Sequence, residues 1–220
     1  VEEDKMNITL TENNTGHVRR GSIAYKAGTN EDKITITQYD FEKDIAGEYM
    51  FLFTNAESGA LQYLDATLSK TGNAYSIELT GLGFSIPVTY NKTNGDLTLK
   101  AGQYIGDYDA YKVHTTLWDT KEGYLTWDTS ISMSGSFEYV EEDGVGYTIA
   151  LIEDDGSWGS YHPDAIRLEA FKSTTLSSST RVGSLLSLID PYLQRAHAGE
   201  AITYKMAKTP VKANVEFLLK

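Results

Sequence analysis

The chain has 220 residues, a formal net charge of -12 and no cysteine. A surface this acidic excludes nucleic acid as a partner and disfavours an anionic membrane, because both need a basic field. The lack of cysteine removes disulfides, thiolate metal sites and thiol nucleophiles together.

The hydrophobic share of 40% is enough for a real core, either one large β domain or a smaller domain with an appendage. Tyrosines number 15 against 7 phenylalanines, which suits rings lying half buried on sheets. No apolar run approaches the roughly 18 residues of a membrane-spanning helix. The chain opens on Val1, so a leader or upstream segment is expected to have been removed. The missing cysteine is compatible with an upstream lipid-modified one.

From the N-terminus, Met6, Ile8 and Leu10 alternate, followed by a polar stretch and Lys33-Ile34-Thr35-Ile36-Thr37-Gln38. This reads as three short strands with turns at Asn13–Gly16 and near Gly28-Thr29-Asn30. Asn14-Thr15-Gly16, then Arg19, Gly21 and Ile23, then Ile34 to Gln38 resembles the C-terminal half of a BACON domain. The resemblance implies an immunoglobulin-like β segment over residues 1–39 and a setting among secreted and surface glycan-processing proteins of gut bacteria.

After a polar joint at residues 40–46, a second unit over 40–220 opens with Gly47 to Phe53. Strands are predicted near 61–70, 74–80, 84–91, 95–101, 110–118, 123–128, 132–140, 145–153 and 165–171. Tyr75, Ile77 and Leu79 alternate with polar residues, as do Phe84, Ile86, Val88 and Tyr90, and such a period of two marks half-buried antiparallel strands. Asn94-Gly95 between two such runs is a hairpin signal, since both residues tolerate positive φ. The short connections predict an all-β antiparallel meander that closes into a lipocalin-like barrel or a two-sheet sandwich. Segments 47–53, 75–82 and 94–106 are similar to uncharacterised lipoprotein modules that follow BACON-type domains. That resemblance, over about 47–171, implies a location and no reaction.

Residues 173–183 read as a flexible polar loop. Leu185, Leu186, Leu188, Ile189, Tyr192, Leu193 and Ala196 then recur at helical spacing; a short helix is predicted from Asp190 as N-cap, with Pro191 at the first helical position, ending before Gly199, and Leu185–Ile189 as a separate turn before it. Alternation of Val211, Ala213, Val215, Phe217 and Leu219 predicts a closing strand.

No catalytic set is identified. The acidic residues sit where hairpin turns need them, no Gly-x-Ser-x-Gly elbow occurs, and Gly81-Leu82-Gly83 joins two strands without opening a helix. His17, His114, His162 and His197 lie in separate segments at no metal-site spacing and read as surface or strand-edge residues. Asp154, Asp155 and Asp164 are a weak candidate for a cation loop, and no cofactor is called for. The strongest signal is aromatic. Trp118, Tyr124 and Trp127 flank one hairpin, and Trp158 and Tyr161 lie in a polar loop. With Asp119 and Asp128 beside them, these rings are what a sugar-binding face uses: stacking on the C–H side of a pyranose, with carboxylates accepting from hydroxyls. The expectation is a non-catalytic extracytoplasmic accessory protein, on the outer-membrane surface of a Gram-negative bacterium or secreted. It would bind glycans or other envelope proteins, or act as a spacer. A carrier holding an apolar ligand among Tyr75, Phe84, Tyr90 and Tyr111 is the alternative, and a glycoside hydrolase a further one.

Overall fold

A computed structural model describes residues 8–92, 94–142, 144–197 and 210–213. An isolated hairpin comes first: β1 (Arg19–Ala27) pairs in continuous antiparallel register with β2 (Asn30–Gln38), and Gly28 turns the chain between them. One π turn, Phe41–Ile45, leads into the main sheet. Its strands are β3 (Gly47–Asn55), β4 (Leu61–Thr71), β5 (Ala74–Leu79), β6 (Phe84–Tyr90), β7 (Asp96–Lys100), β8 (Tyr104–Tyr108), β9 (Tyr111–Asp119), β10 (Tyr124–Thr126), β11 (Ser132–Ser136), β12 (Glu138–Glu142), β13 (Val145–Leu151), β14 (Glu153–Asp154), β15 (Ala165–Phe171), β16 (Arg181–Ala196) and β17 (Val211–Lys212). The protein is therefore all-β, and the larger sheet curls into a half-barrel.

The alternation in the sequence is the alternation in space. On β6, Phe84, Ile86, Val88 and Tyr90 are buried while Ser85, Pro87 and Thr89 are exposed. Tyr49, Phe51 and Phe53 of β3, Leu64, Ala66 and Leu68 of β4, and Leu97 and Leu99 of β7 join them in one continuous core. Each such ring or branched chain withdrawn from water contributes about 1.5–3 kcal/mol. Phe84 and Tyr90, two of the rings a carrier would turn toward a ligand, are part of this packing. Tyr90 and Tyr75 lie 5.7 Å apart, and Phe41 is 4.7 Å from Tyr75 and 5.0 Å from Tyr90.

The expected meander holds for β3 to β7, which neighbour one another in chain order. The full order is β10-β9-β15-β16-β3-β4-β5-β6-β7-β11-β14, so β15 and β16 enter between β9 and β3. The hairpin between β6 and β7 is longer than a two-residue turn. Asn91 N–H donates to Asp96 O, Gly95 N–H donates to Asn91 O, and Gly95, not Asn94, takes the left-handed conformation.

Three further expectations are corrected. The predicted helix from Asp190 is part of strand β16, which pairs with β15, β3 and β13. Its leucines recur at close spacing because the strand is flanked along its length. Pro191 is accommodated in a bulge between Ile189 and Tyr192, where its missing N–H removes no ladder bond. Residues 173–180 form hydrogen-bonded turns closed by Thr180 N–H to Ser177 O and Lys172 N–H to Thr180 O, and β16 begins at Arg181. Tyr104–Tyr108, for which no strand is predicted, is a strand paired with β9. Ile8–Leu10 is not a strand. Of the closing strand, Val211 and Lys212 pair in parallel with β4, while Val215, Phe217 and Leu219 lie outside the described residues, as does Met6.

The leading segment is fastened to the half-barrel. Val18 is buried in the main core, and the Asn13 amide donates to Gln38 O and to the Asp44 carboxylate. His17 stacks on Tyr139 at 3.7 Å, and His197 meets both rings edgewise.

Candidate functional site

The β9–β10 hairpin folds because Asp119 pairs with Tyr124 and Gly123 N–H donates to Asp119 O across the turn. The Asp119 side chain is almost fully buried, and its carboxylate accepts from the backbone N–H of Glu122 at 2.9 Å and of His162 at 3.0 Å. The N–H of His162 and then that of Glu122 hold this carboxyl below its ordinary range. Asp164 adds a second clamp: its N–H donates to Trp118 O, and its carboxylate accepts from the N–H and hydroxyl of Thr120. Two carboxylates thus bolt the loop over residues 154–164 to the hairpin tip.

The consequence is an aromatic trio from two distant stretches of chain. Tyr124 lies 4.8 Å from Tyr161, and Tyr161 lies 5.1 Å from Trp158, all with tilted rings. Tyr124 is 53% exposed, whereas Trp158 leans on the core, so the trio has a fixed root and a free outer face. The loop beneath is preset by its own side chains. Asp155 accepts from Ser157 N–H and the Ser132 hydroxyl, and Ser157 Oγ accepts from Ser132 N–H. Burial would raise the Asp155 carboxyl, but the hydrogen bonds from Ser132 and Ser157 outweigh it and hold it low. Asp154 accepts from Gly156 N–H and faces His162 Nδ1 at 2.7 Å.

Four of the seven residues proposed for a binding face therefore meet: Tyr124, Trp158 and Tyr161 as surface, Asp119 as the buried fastening behind it. The side chains of the other three are engaged by other partners. Trp118 lies under the Arg167 guanidinium at 5.0 Å. Trp127 meets Phe171 edge to face at 5.8 Å. Asp128 closes its own turn by accepting from the N–H and hydroxyl of Ser130. The candidate cation ligands also diverge, Asp154 to His162, Asp155 to Ser132 and Asp164 to Thr120; among the described residues no three His, Asp or Glu side chains gather as a metal site.

A cleft of ≈ 420 Å³ lies between the 151–154 and 162–164 segments and the β16 bulge, and its His162 directly follows Tyr161 of the trio in the chain. Asp190 and Pro191 form one wall. Asp190 holds a left-handed backbone at φ 49°, its N–H donating to Asp164 O, while Pro191 O accepts from Ile152 N–H. Partial burial and then the neighbouring Asp164 push the Asp190 carboxyl upward. Sequence reasoning missed this wall. The available signal was Asp-Pro inside an otherwise strand-like apolar run, which is as consistent with a bulge as with a helix start.

His114 is buried where a surface or strand-edge position was expected. His114 is 4% exposed, its Nδ1 near Gly102 O, and among the described residues its Nε2 has no hydrogen-bond partner. A buried ion cluster was also not foreseen: Glu169, fully buried, meets Arg181 at 2.7 Å and Arg167 at 3.1 Å.

No curated protein and no solved structure matches this chain. A family model described as a domain of unknown function matches residues 28–157, from the turn of the first hairpin to the loop that carries Trp158. Because that match spans more than half of the 220 residues, the chain belongs to the DUF4987 family.

Proposed function

We propose that this chain is a non-catalytic accessory module that works outside the cytoplasm, on a bacterial outer-membrane surface or as a secreted protein, and binds glycan through Tyr124, Tyr161 and Trp158. The carrying observation is the convergence of those rings on a loop held in advance by Asp119 and Asp164. Rings fixed before binding lose little entropy when a ligand arrives. The carboxylates nearest the trio support a binding role over acid–base chemistry, since Asp119 and Asp164 already accept backbone N–H groups. The BACON-like residues at 14–38 support the extracytoplasmic setting.

The test is a glycan array followed by calorimetry on the hits. At least one plant, host or microbial glycan is expected to bind, and Tyr124→Ala is expected to weaken it about tenfold, or ~1.4 kcal/mol. Tyr124 is exposed, so this variant should fold normally. An array with no hits, or a hit indifferent to Tyr124→Ala, overturns the proposal.

A further inference from the structure

The cleft beside the trio does not end at its own wall. A second concavity of ≈ 560 Å³ adjoins it, and the two share Leu151, Glu153 and Asp154. It lies where the sheet forks: β11 pairs with β7 and β14, whereas β13 pairs with β12 and β16. Gly135 permits the fork, because a Cβ there would stand 1.9 Å from Leu151 O. Together the two concavities make one open groove running from the fork to His162, the residue after Tyr161.

Its chemistry is consistent along its length. Val140 and Leu151, 40% and 52% exposed, give the fork an apolar surface. The rim is acidic at both ends, with Asp96, Glu138 and Glu153 at the fork and Asp164 and Asp190 in the cleft. Among the described residues, the basic side chains against this rim are His162, 2.7 Å from Asp154, and Arg20, on Glu138. Such a rim accepts hydrogen bonds from neutral hydroxyls and repels uronate, sulfate or sialate, while the apolar surface covers C–H faces. Resting on the glycan reading above, we infer that this groove binds an extended internal stretch of an uncharged polysaccharide, with the aromatic trio as its end platform, and that it rejects anionic glycans.

Calorimetry on cello-, manno- and xylo-oligosaccharides, from disaccharide to hexasaccharide, tests this alongside polygalacturonate and heparin. In one neutral series the hexasaccharide should bind at least about tenfold more tightly than the disaccharide, and neither polyanion should bind at physiological salt. Leu151→Lys, at an exposed position, should reduce the hexasaccharide to the affinity of the disaccharide, whereas Tyr124→Ala should weaken both. Glycan binding without length dependence, binding of a polyanion, or indifference to Leu151→Lys overturns the groove and leaves the glycan reading standing. Absence of binding to any sugar overturns both. Displacement of the sugar by an alternating Lys-Val peptide at equal concentration marks the groove as a peptide site and also overturns it.

Discussion

Two single residues carry more than their place in the sequence suggests. Glu169 is fully buried between Arg181 and Arg167, whose side chains remain 34% and 20% exposed, and Trp118 lies against the second arginine. Removing the carboxylate leaves two part-buried guanidinium groups facing each other, so Glu169→Ala should destabilise the fold by about 3 kcal/mol, the low end for breaking a buried pair. Chemical denaturation measures this, and a loss under 1 kcal/mol would place the cluster in effectively open water. His114 predicts a pH effect. Burial lowers its folded pKa, partly offset by the Gly102 carbonyl, and His197 is lowered by burial, then by Arg195 and His17. The unfolded chain takes up these protons near the ordinary value of 6.5 while the folded one resists. Stability should thus be complete above that value and decline as pH falls below it toward the folded values. Asp44, raised chiefly by burial, acts in the opposite sense, but in the lower carboxylate range. Denaturation midpoints between pH 7.5 and 5.5 should fall, and His114→Phe should flatten the slope; an unchanged slope would assign the effect elsewhere.

Strand β16 is the element on which the site depends, because its bulge supplies Asp190 and Pro191 to the cleft. Asp190 sits at φ 49°, a conformation that β-branched side chains resist. Asp190→Gly should leave stability nearly unchanged, whereas Asp190→Val should cost about 1–2 kcal/mol; equal melting of the two variants would mean that the bulge relaxes freely. This strand also shows where sequence legibility ends. Strands such as β6 were readable because one face is buried and the other wet, so polarity alternates with the pleat. Along β16, residues of both alternating sets are at least partly covered, so Leu185, Leu186, Leu188 and Ile189 form a run with no period of two. The insertion of β15 and β16 between β9 and β3 was equally hidden, because strand neighbours far apart in sequence leave no local trace. The site was half legible for the same reason. Tyr124 and Trp158 announced themselves as rings in polar surroundings, but only the long-range bonds of Asp119 to His162 and Thr120 to Asp164 select which rings meet.

At the scale of the whole molecule, the question is whether the β1–β2 hairpin and the half-barrel open together. Among the described residues the hairpin has ladder bonds only between its own two strands, and most of its side chains face solvent. Two strands alone are marginal in water. Its anchors are Val18 in the main core, the Asn13 bonds to Gln38 and Asp44, and the stacking of His17 on Tyr139. Those anchors hold its base, and the turn at Gly28 is exposed. Native-state hydrogen exchange should therefore show graded protection. Amides near the hairpin tip should exchange by local fraying, those near Arg19 and Gln38 more slowly, and those of β9, β15 and β16 only with global unfolding. Val18→Ser removes the apolar anchor at an expected loss of about 1.5–3 kcal/mol. If the anchor couples the two parts, that variant should speed exchange throughout β1 and β2 by a larger factor than it speeds exchange in β15. Equal acceleration in both would show instead that the hairpin and the half-barrel are one cooperative unit, melting through the same transition.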